Sequence, residues 1–328
     1  MTPIGNENTK DRINMAVESA IKRNTCVPHM LLSGAAGCGK TTTARWITGI
    51  GHYDYIPASP LEMKTKKSVY SLLEKLNTIG YNERGDRIGK IRPTIIFFDE
   101  VHQMPVIGQE ILGLAMERFI LESDLPNKMI WLPYFTVIGA TTDDGKLTKP
   151  FRDRFKMRFI FEPYNDEEMC KMVRLHAYKN KIQINDAGVM SIAKRSRGVP
   201  RIMVSYLENI RDFMINSESC IITEEIAEEA FKVMGIDDTG LTNVEIKILK
   251  TLMDSKGAIG LDNLSIVTNE SPKAITQSIE PFLIRRGLML RTGKGRELTE
   301  EGRRYLEERR YVGNNSDKKF IDANYTRE

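Results

Sequence analysis

Gly34-Ala35-Ala36-Gly37-Cys38-Gly39-Lys40-Thr41 matches G-x-x-x-x-G-K-[ST] at every fixed position. The residue types follow from the chemistry of a polyphosphate. Glycines let consecutive backbone N–H groups turn inward around a β-phosphate, at the start of a helix whose dipole favours anions. Lys40 is placed to neutralise β- and γ-phosphate oxygens, the Thr41 hydroxyl to ligate Mg²⁺, and Thr42 to lie beside them. His29-Met30-Leu31-Leu32 is a short apolar run ahead of the loop, and helix-compatible residues follow from Thr41 to Ile47. Strand, glycine loop and helix open an α/β nucleotide-binding unit. The implied ligands are ATP and Mg²⁺.

A partner for this loop lies downstream. Ile95-Ile96-Phe97-Phe98-Asp99-Glu100 is an apolar strand ending in two carboxylates. Asp99 is assigned to organising Mg²⁺ and Glu100 to activating the attacking water, which favours hydrolysis over transfer to a metabolite. Strands are predicted at Thr94 to Phe98 and Phe135 to Ile138, suiting a parallel sheet covered on both faces. Helices are predicted from Asn6 to Arg23 and from Ile107 to Leu121.

Beyond Phe161-Glu162-Pro163 the pattern changes to amphipathic helices without a strand, up to about Gly235. Asn165-Asp166-Glu167-Glu168 opens the first with acidic residues near its positive end. Gly235-Ile236-Asp237-Asp238-Thr239-Gly240 reads as a linker. Helices at Asn243–Lys256, Leu261–Val267 and Pro272–Arg286 follow, then two short segments around Arg291-Thr292-Gly293-Lys294-Gly295-Arg296 and a last helix from Thr299. Three helices with a basic hairpin describe a winged helix. The predicted domains are a large ATPase domain at 1–162, a helical lid at 163–236, a winged helix at 237–312 and a polar tail at 313–328.

Bulk properties agree with a globular protein of two or three domains: 328 residues, 41% hydrophobic and 28% charged. The four cysteines are scattered and none is paired as C-x-x-C, which argues against a zinc site. The first residues lack the pattern of a signal peptide, and no apolar run reaches the length of a membrane span. A cytoplasmic protein is the expectation. A net charge of +4 does not decide the partner, so a nucleic-acid reading depends on where the cations sit.

Several segments closely resemble the RuvB family, AAA+ ATPases that drive branch migration of Holliday junctions. They include Phe98-Asp99-Glu100-Val101-His102, Ala115-Met116-Glu117-Arg118-Phe119, Ile138-Gly139-Ala140-Thr141-Thr142 and Leu147 to Phe155. Ser196-Arg197-Gly198-Val199-Pro200-Arg201-Ile202 resembles the family's sensor segment, and Glu280 to Gly287 and Arg291 to Arg296 its winged helix. The likeness runs from Ile4-Gly5-Asn6 to about Leu306. It implies an α/β P-loop AAA+ ATPase domain with a parallel sheet, a helical lid domain and a C-terminal winged-helix domain. It further implies an ATP-driven DNA translocase or helicase, assembled as a homo-oligomer, a hexameric ring, on duplex or branched DNA and not on a membrane.

Position by position, the resemblance makes Thr142 the first sensor, Arg154 the arginine finger and Arg201 the second sensor. Arg152 stays in competition with Arg154. Ile4 falls where the family frames the adenine, although the stretch before it is short. Between Glu117 and Phe135 the chain is also shorter than the family pattern and lacks the long hairpin that docks the junction-binding partner RuvA. That leaves the use of a RuvA-like partner open. Arg285, Arg286, Arg291, Lys294 and Arg296 surround a glycine-containing turn and are the expected contacts to DNA phosphates. They would act without base readout, as a translocating motor requires. Two rival readings remain: a switch like a clamp loader or helicase loader, and a nucleotide-gated DNA-binding adaptor.

Overall fold

The computed structural model describes residues 2–78, 93–122, 129–217, 219–255 and 257–309. The polar tail expected from Gly313 lies outside them. Two compact units divide the chain, Met1–Ala227 and Glu228–Glu328.

The first unit is built on α1 (Glu7–Lys22), β1 (Met30–Gly34), α2 (Lys40–Ile50), β2 (Asp54–Ala58), α3 (Lys66–Thr78), β3 (Thr94–Phe98) and α4 (Val106–Arg118). After these come β4 (Ile120–Glu122), β5 (Met129–Trp131), β6 (Phe135–Thr141), α5 (Lys149–Asp153) and β7 (Met157–Phe161). Five strands form a parallel sheet in the order β2-β3-β6-β1-β7. The two-residue strand period explains its two cores. Leu31, Ile96, Phe98, Phe135 and Val137 point to one, Met30, Leu32, Ile95, Phe97 and Ile138 to the other. Both β3 and β6 are buried along their whole length, which is why they read as unbroken apolar runs.

Sequence patterning misses the two edge strands. β2 contains Pro57, tolerated only because an edge strand has one unpaired side. β7 buries Phe159 and Phe161 and exposes Arg158 and Ile160, too short an alternation to stand out. β4 and β5 pair antiparallel, Ile120 opposite Trp131, so a short hairpin replaces the long one missing from the sequence. Its tip, residues 123–128, lies outside the described residues.

Four lid helices follow: α6 (Asp166–Lys179), α7 (Asp186–Arg195), α8 (Pro200–Asn216) and α9 (Glu224–Val233). Asn165 and Glu168 form a reciprocal capping box at the start of α6, with bonds of 2.9 and 3.0 Å. The second unit contains α10 (Asn243–Asp254), α11 (Leu261–Thr268), α12 (Pro272–Ala274), a π-helical turn Ile275–Ile279, α13 (Glu280–Arg285), β8 (Met289–Thr292), β9 (Gly295–Leu298) and a last helix at 300–309. β8 and β9 are the wing, and Ile259 bridges to Arg296 at its inner edge. No helix among the described residues is long and apolar enough to cross a membrane.

His29, at the entrance to β1, ties the sheet to α4. Its Nδ1 accepts from the Val137 amide at 2.8 Å, so Nε2 carries the proton and donates to the Met116 carbonyl at 3.0 Å. Burial pushes its pKa down to about 4. A depressed histidine pKa means the unfolded chain takes the proton first. Stability is therefore complete above the unfolded value and is lost as pH falls from about 6.5 towards 4. We expect urea unfolding to show a loss of about 2–3 kcal/mol from this group between pH 7.5 and 4.5. In His29→Gln the fall over that range should be smaller by the same amount. An identical fall in both proteins would remove His29 from the account.

Candidate functional site

The loop between β1 and α2 lies at the carboxyl end of β1, which runs between β6 and the edge strand β7 in the sheet. Gly34, Gly37 and Gly39 have φ of 149°, 82° and 88°. A Cβ on Gly34 would sit 2.4 Å from the Phe161 carbonyl oxygen, and one on Gly37 would sit 2.9 Å from Arg201 Cβ. Both positions therefore exclude side chains by conformation and by space. Lys40 is buried, and its Nζ donates back to the Gly34 and Ala35 carbonyls at 2.7 and 2.9 Å. Burial lowers its pKa, opposed by the charges of Glu100 and Asp99. The ammonium thus has no full counter-charge within bonding distance and faces a cavity of about 500 Å³. Lys40, Thr41, Thr42, Asp99, Glu100 and Arg201 are among its walls. Arg201, exposed in the first turn of α8, brings a second cation to the same space.

Thr41 Oγ1 donates to Asp99 Oδ2 at 3.3 Å, which places two hard oxygen donors side by side at the rim of the phosphate cavity. Glu100 has φ 50° and ψ 50°, a left-handed conformation that turns its carboxylate away from the line of β3. Its Oε2 accepts from the Thr142 amide at 3.1 Å and the Thr142 hydroxyl at 2.9 Å. His102 Nδ1 lies 3.1 Å from the same oxygen and 2.9 Å from Thr141 Oγ1. The ends of β3 and β6 thus join the two residues singled out as water activator and first sensor. His102, which the sequence reading did not assign, completes that cluster.

A second cavity of about 260 Å³ adjoins the first, with Gly39, Thr42, His176 and Pro200 common to both. Thr2, Pro3, Ile4, Tyr164 and Met172 give it a largely apolar wall, fit for a planar base. Ile4 is thus one of the residues of this wall. Two supports were not legible in the sequence. Lys10, only 8% exposed, donates from α1 to the Pro3 carbonyl at 3.0 Å and to Glu7 at 2.6 Å, which fixes the arm to its helix. Tyr164 donates to the Cys38 carbonyl at 3.1 Å, and burial pushes its phenol up to about 12. Helical spacing to the arm could have suggested Lys10; nothing local points to Tyr164.

Arg154 is not among the residues lining the phosphate cavity of its own chain. Its guanidinium donates to the Pro150 carbonyl at 2.6 Å and to Glu117 at 3.1 Å, at the wall of a separate cavity of about 640 Å³. Arg152 is half-buried, and its Nε has no hydrogen-bond partner.

In the second unit Arg285, Arg286, Arg291 and Lys294 are exposed around the wing. Arg296 is not, and here the sequence expectation needs correction. Its side chain is 8% exposed and bonds through Nε to Glu280, itself 3% exposed, at 2.5 Å. A buried cation committed to a buried carboxylate supports the wing from within; it cannot reach a phosphate ribbon without leaving Glu280 uncompensated.

A glycine cradle, a buried lysine, paired acids at the end of the next strand but one and a helical lid define a P-loop ATPase of the AAA+ class. Three family models match in sequence: the Holliday junction DNA helicase RuvB P-loop domain over residues 2–160, the RuvB AAA lid domain over 164–237 and the RuvB C-terminal winged helix domain over 238–307. The chain is 35% identical over 301 residues to the Holliday junction branch migration complex subunit RuvB of Campylobacter jejuni, spanning 89% of this chain and 85% of that one. Its likeness to the subunit from Fervidobacterium nodosum is 34% over 312 residues, 92% of this chain and 86% of the relative. Among solved structures, the Thermotoga maritima RuvB Holliday junction branch migration motor superposes with a TM-score of 0.77 at 30% identity, covering 93% of this chain and 95% of that one. The chain belongs to the RuvB family.

Because Lys10 touches the arm and not the nucleotide cavities, Lys10→Met should act on binding alone. Steady-state ATPase assays are expected to show a KM raised about threefold to tenfold, the scale of one charge-assisted hydrogen bond, with kcat within about twofold. An unchanged KM would show that the arm holds its place without Lys10.

Proposed function

We propose that the chain is an ATP-driven DNA motor that promotes branch migration of Holliday junctions or related recombination intermediates. It works as a homo-oligomeric ring, hexameric in the form the family resemblance implies. The observation that carries this reading is the division of the hydrolytic groups. Phosphate-binding and water-facing residues share one cavity, whereas Arg154 lies at a different place on the same unit. An arginine at a subunit boundary makes hydrolysis conditional on assembly, which a ring motor needs.

In this reading ATP lies across the two adjoining cavities, base against Ile4 and Tyr164, phosphates in the loop of Gly34, Gly37 and Gly39. Lys40 and Arg201 hold the β- and γ-phosphate charge, and Arg201 lets the lid respond to the γ-phosphate. The oxygens of Thr41 and Asp99 suit Mg²⁺, which would supply charge neutralisation on the phosphate oxygens. Glu100 orients the water and accepts its proton, with Thr142 setting the carboxylate's direction. Arg154 of a neighbouring subunit offsets charge developing on the γ-phosphoryl group. Arg285, Arg286, Arg291 and Lys294 bind the DNA backbone, with Arg296 as their internal support.

The deciding experiment is ATP-dependent dissociation of a synthetic four-way DNA junction by the purified chain alone, with Glu100→Gln as control. Activity that vanishes in Glu100→Gln while ATP still binds is the expected outcome, and shows that a RuvA-like partner is dispensable. Robust ATP turnover with no junction dissociation would replace the motor with a loading switch or would require such a partner.

Arg154→Ala is expected to bind ATP as the wild type does and to lose about 10³-fold or more in turnover. Mixed with Lys40→Ala protein, which keeps its finger but loses nucleotide binding, it should recover part of the activity. Turnover that is unaffected by Arg154→Ala, but collapses in Arg152→Ala, would transfer the role to Arg152.

A further inference from the structure

Four residues line both the base cavity and the phosphate cavity: Gly39, Thr42, His176 and Pro200. A nucleotide stretched across the two has its ribose and α-phosphate at this waist. Of the four, Gly39 and Pro200 present no polar side chain and Thr42 a neutral hydroxyl. His176 is the one titratable group there. Its place on α6 is set by helical spacing: Met172 and Lys179, four residues before and three after, line the base cavity on the same face. The imidazole is half-buried.

We propose that His176 is a nucleotide-binding residue whose imidazolium form pairs with the α-phosphate, so that nucleotide binding by this chain draws in a proton. The inference rests on the nucleotide-site reading above and adds a contact to it. Charged groups around the position come from each element that borders it. Lys179 lies on α6, Arg201 and Glu208 on α8, Lys40 on α2, and Asp99 and Glu100 at the end of β3. Burial and the neighbouring Lys179 hold the imidazole below its ordinary value, with Glu208 opposing them. Burial and Lys179 thus both push the imidazole towards its neutral form. A phosphate anion beside it reverses that balance and favours the charged form. Between the two pKa values, binding and protonation are linked, and affinity rises as pH falls.

The test is calorimetric titration of the full chain with ADP at pH 8 and pH 6, each in two buffers of different ionisation enthalpy, for wild type, His176→Gln, His176→Arg and Lys40→Ala. The terminal phosphate of ADP itself takes up a proton near about pH 6, so the quantity read is the difference between wild type and His176→Gln. Wild type should gain about fivefold to tenfold more affinity than His176→Gln over this range, the scale of one charge-assisted contact, and should take up more protons per ADP. His176→Arg, charged throughout, should bind at pH 8 nearly as tightly as wild type does at pH 6. The same pH profile and proton count in wild type and His176→Gln, or an arginine variant no tighter than glutamine, overturns the proposal. Lys40→Ala separates the two readings: ADP binding that survives it would overturn the nucleotide site itself, and with it the contact.

Discussion

A peptide backbone can wrap a phosphate only if nothing stands between its N–H groups and the anion. In this chain the constraint is met at Gly34 and Gly37 by left-handed torsions and by neighbours that leave no room for a Cβ. What crowds Gly34 is Phe161, the last residue of β7, and what crowds Gly37 is Arg201 and Val199 at the head of α8. The loop is therefore shaped from two sides. The sheet edge presses on its start and the lid on its middle, so the geometry that binds phosphate depends on both parts being in place.

Under the proposed function, that dependence gives nucleotide a mechanical role. Tyr164, at the junction of sheet and lid, bonds to the loop through the Cys38 carbonyl, and its amide donates to the Gly198 carbonyl at 2.9 Å. Arg201 follows three residues later, facing the phosphate cavity. In the proposed arrangement, a change in charge at the γ-phosphate position is felt first by Lys40 on α2 and by Arg201 on the lid helix α8. Loss of that shared anion leaves two cations facing one cavity.

The core of the sheet and the phosphate loop were legible in the sequence because each has a local signature. β3 and β6 are fully buried and so unbroken in hydrophobicity; the loop is contiguous and chemically peculiar. The edge strands β2 and β7 were not legible, since each is short and only partly buried, β7 is interrupted by Arg158 and β2 spends one position on Pro57. The same logic applies to the site. Residues adjacent in sequence to a motif, such as Thr41, Asp99 and Glu100, could be placed. Tyr164 and His102 act through contacts made by folding, and sequence spacing carries no trace of them; Lys10 shows only as helical spacing to the arm. Arg296 was misread for the complementary reason: it sits in a basic stretch, and its partner Glu280 is 16 residues away on another element.

The position of Arg154 raises the question of whether its bonds within its own chain would prevent it from serving a neighbour. Magnitudes answer it. The pair with Glu117 is partly open to water, with side-chain exposures of 22% and 57%. Such a pair is worth at most about 1 kcal/mol. An arginine that meets charge developing on a γ-phosphoryl group accelerates hydrolysis by about 10³–10⁵, roughly 4–7 kcal/mol of barrier. In the proposed role, exchange of one partner for the other is favourable in the transition state by several kcal/mol, so the pair with Glu117 is no obstacle to it. Glu117 lies in the last turn of α4, directly before the β4–β5 hairpin, so the arginine rests beside the segment where this chain departs most from the family pattern. The departure shortens the hairpin beyond Phe119 and leaves the α4 end that holds Arg154 intact. The shorter hairpin therefore leaves the Glu117–Arg154 pair as it is.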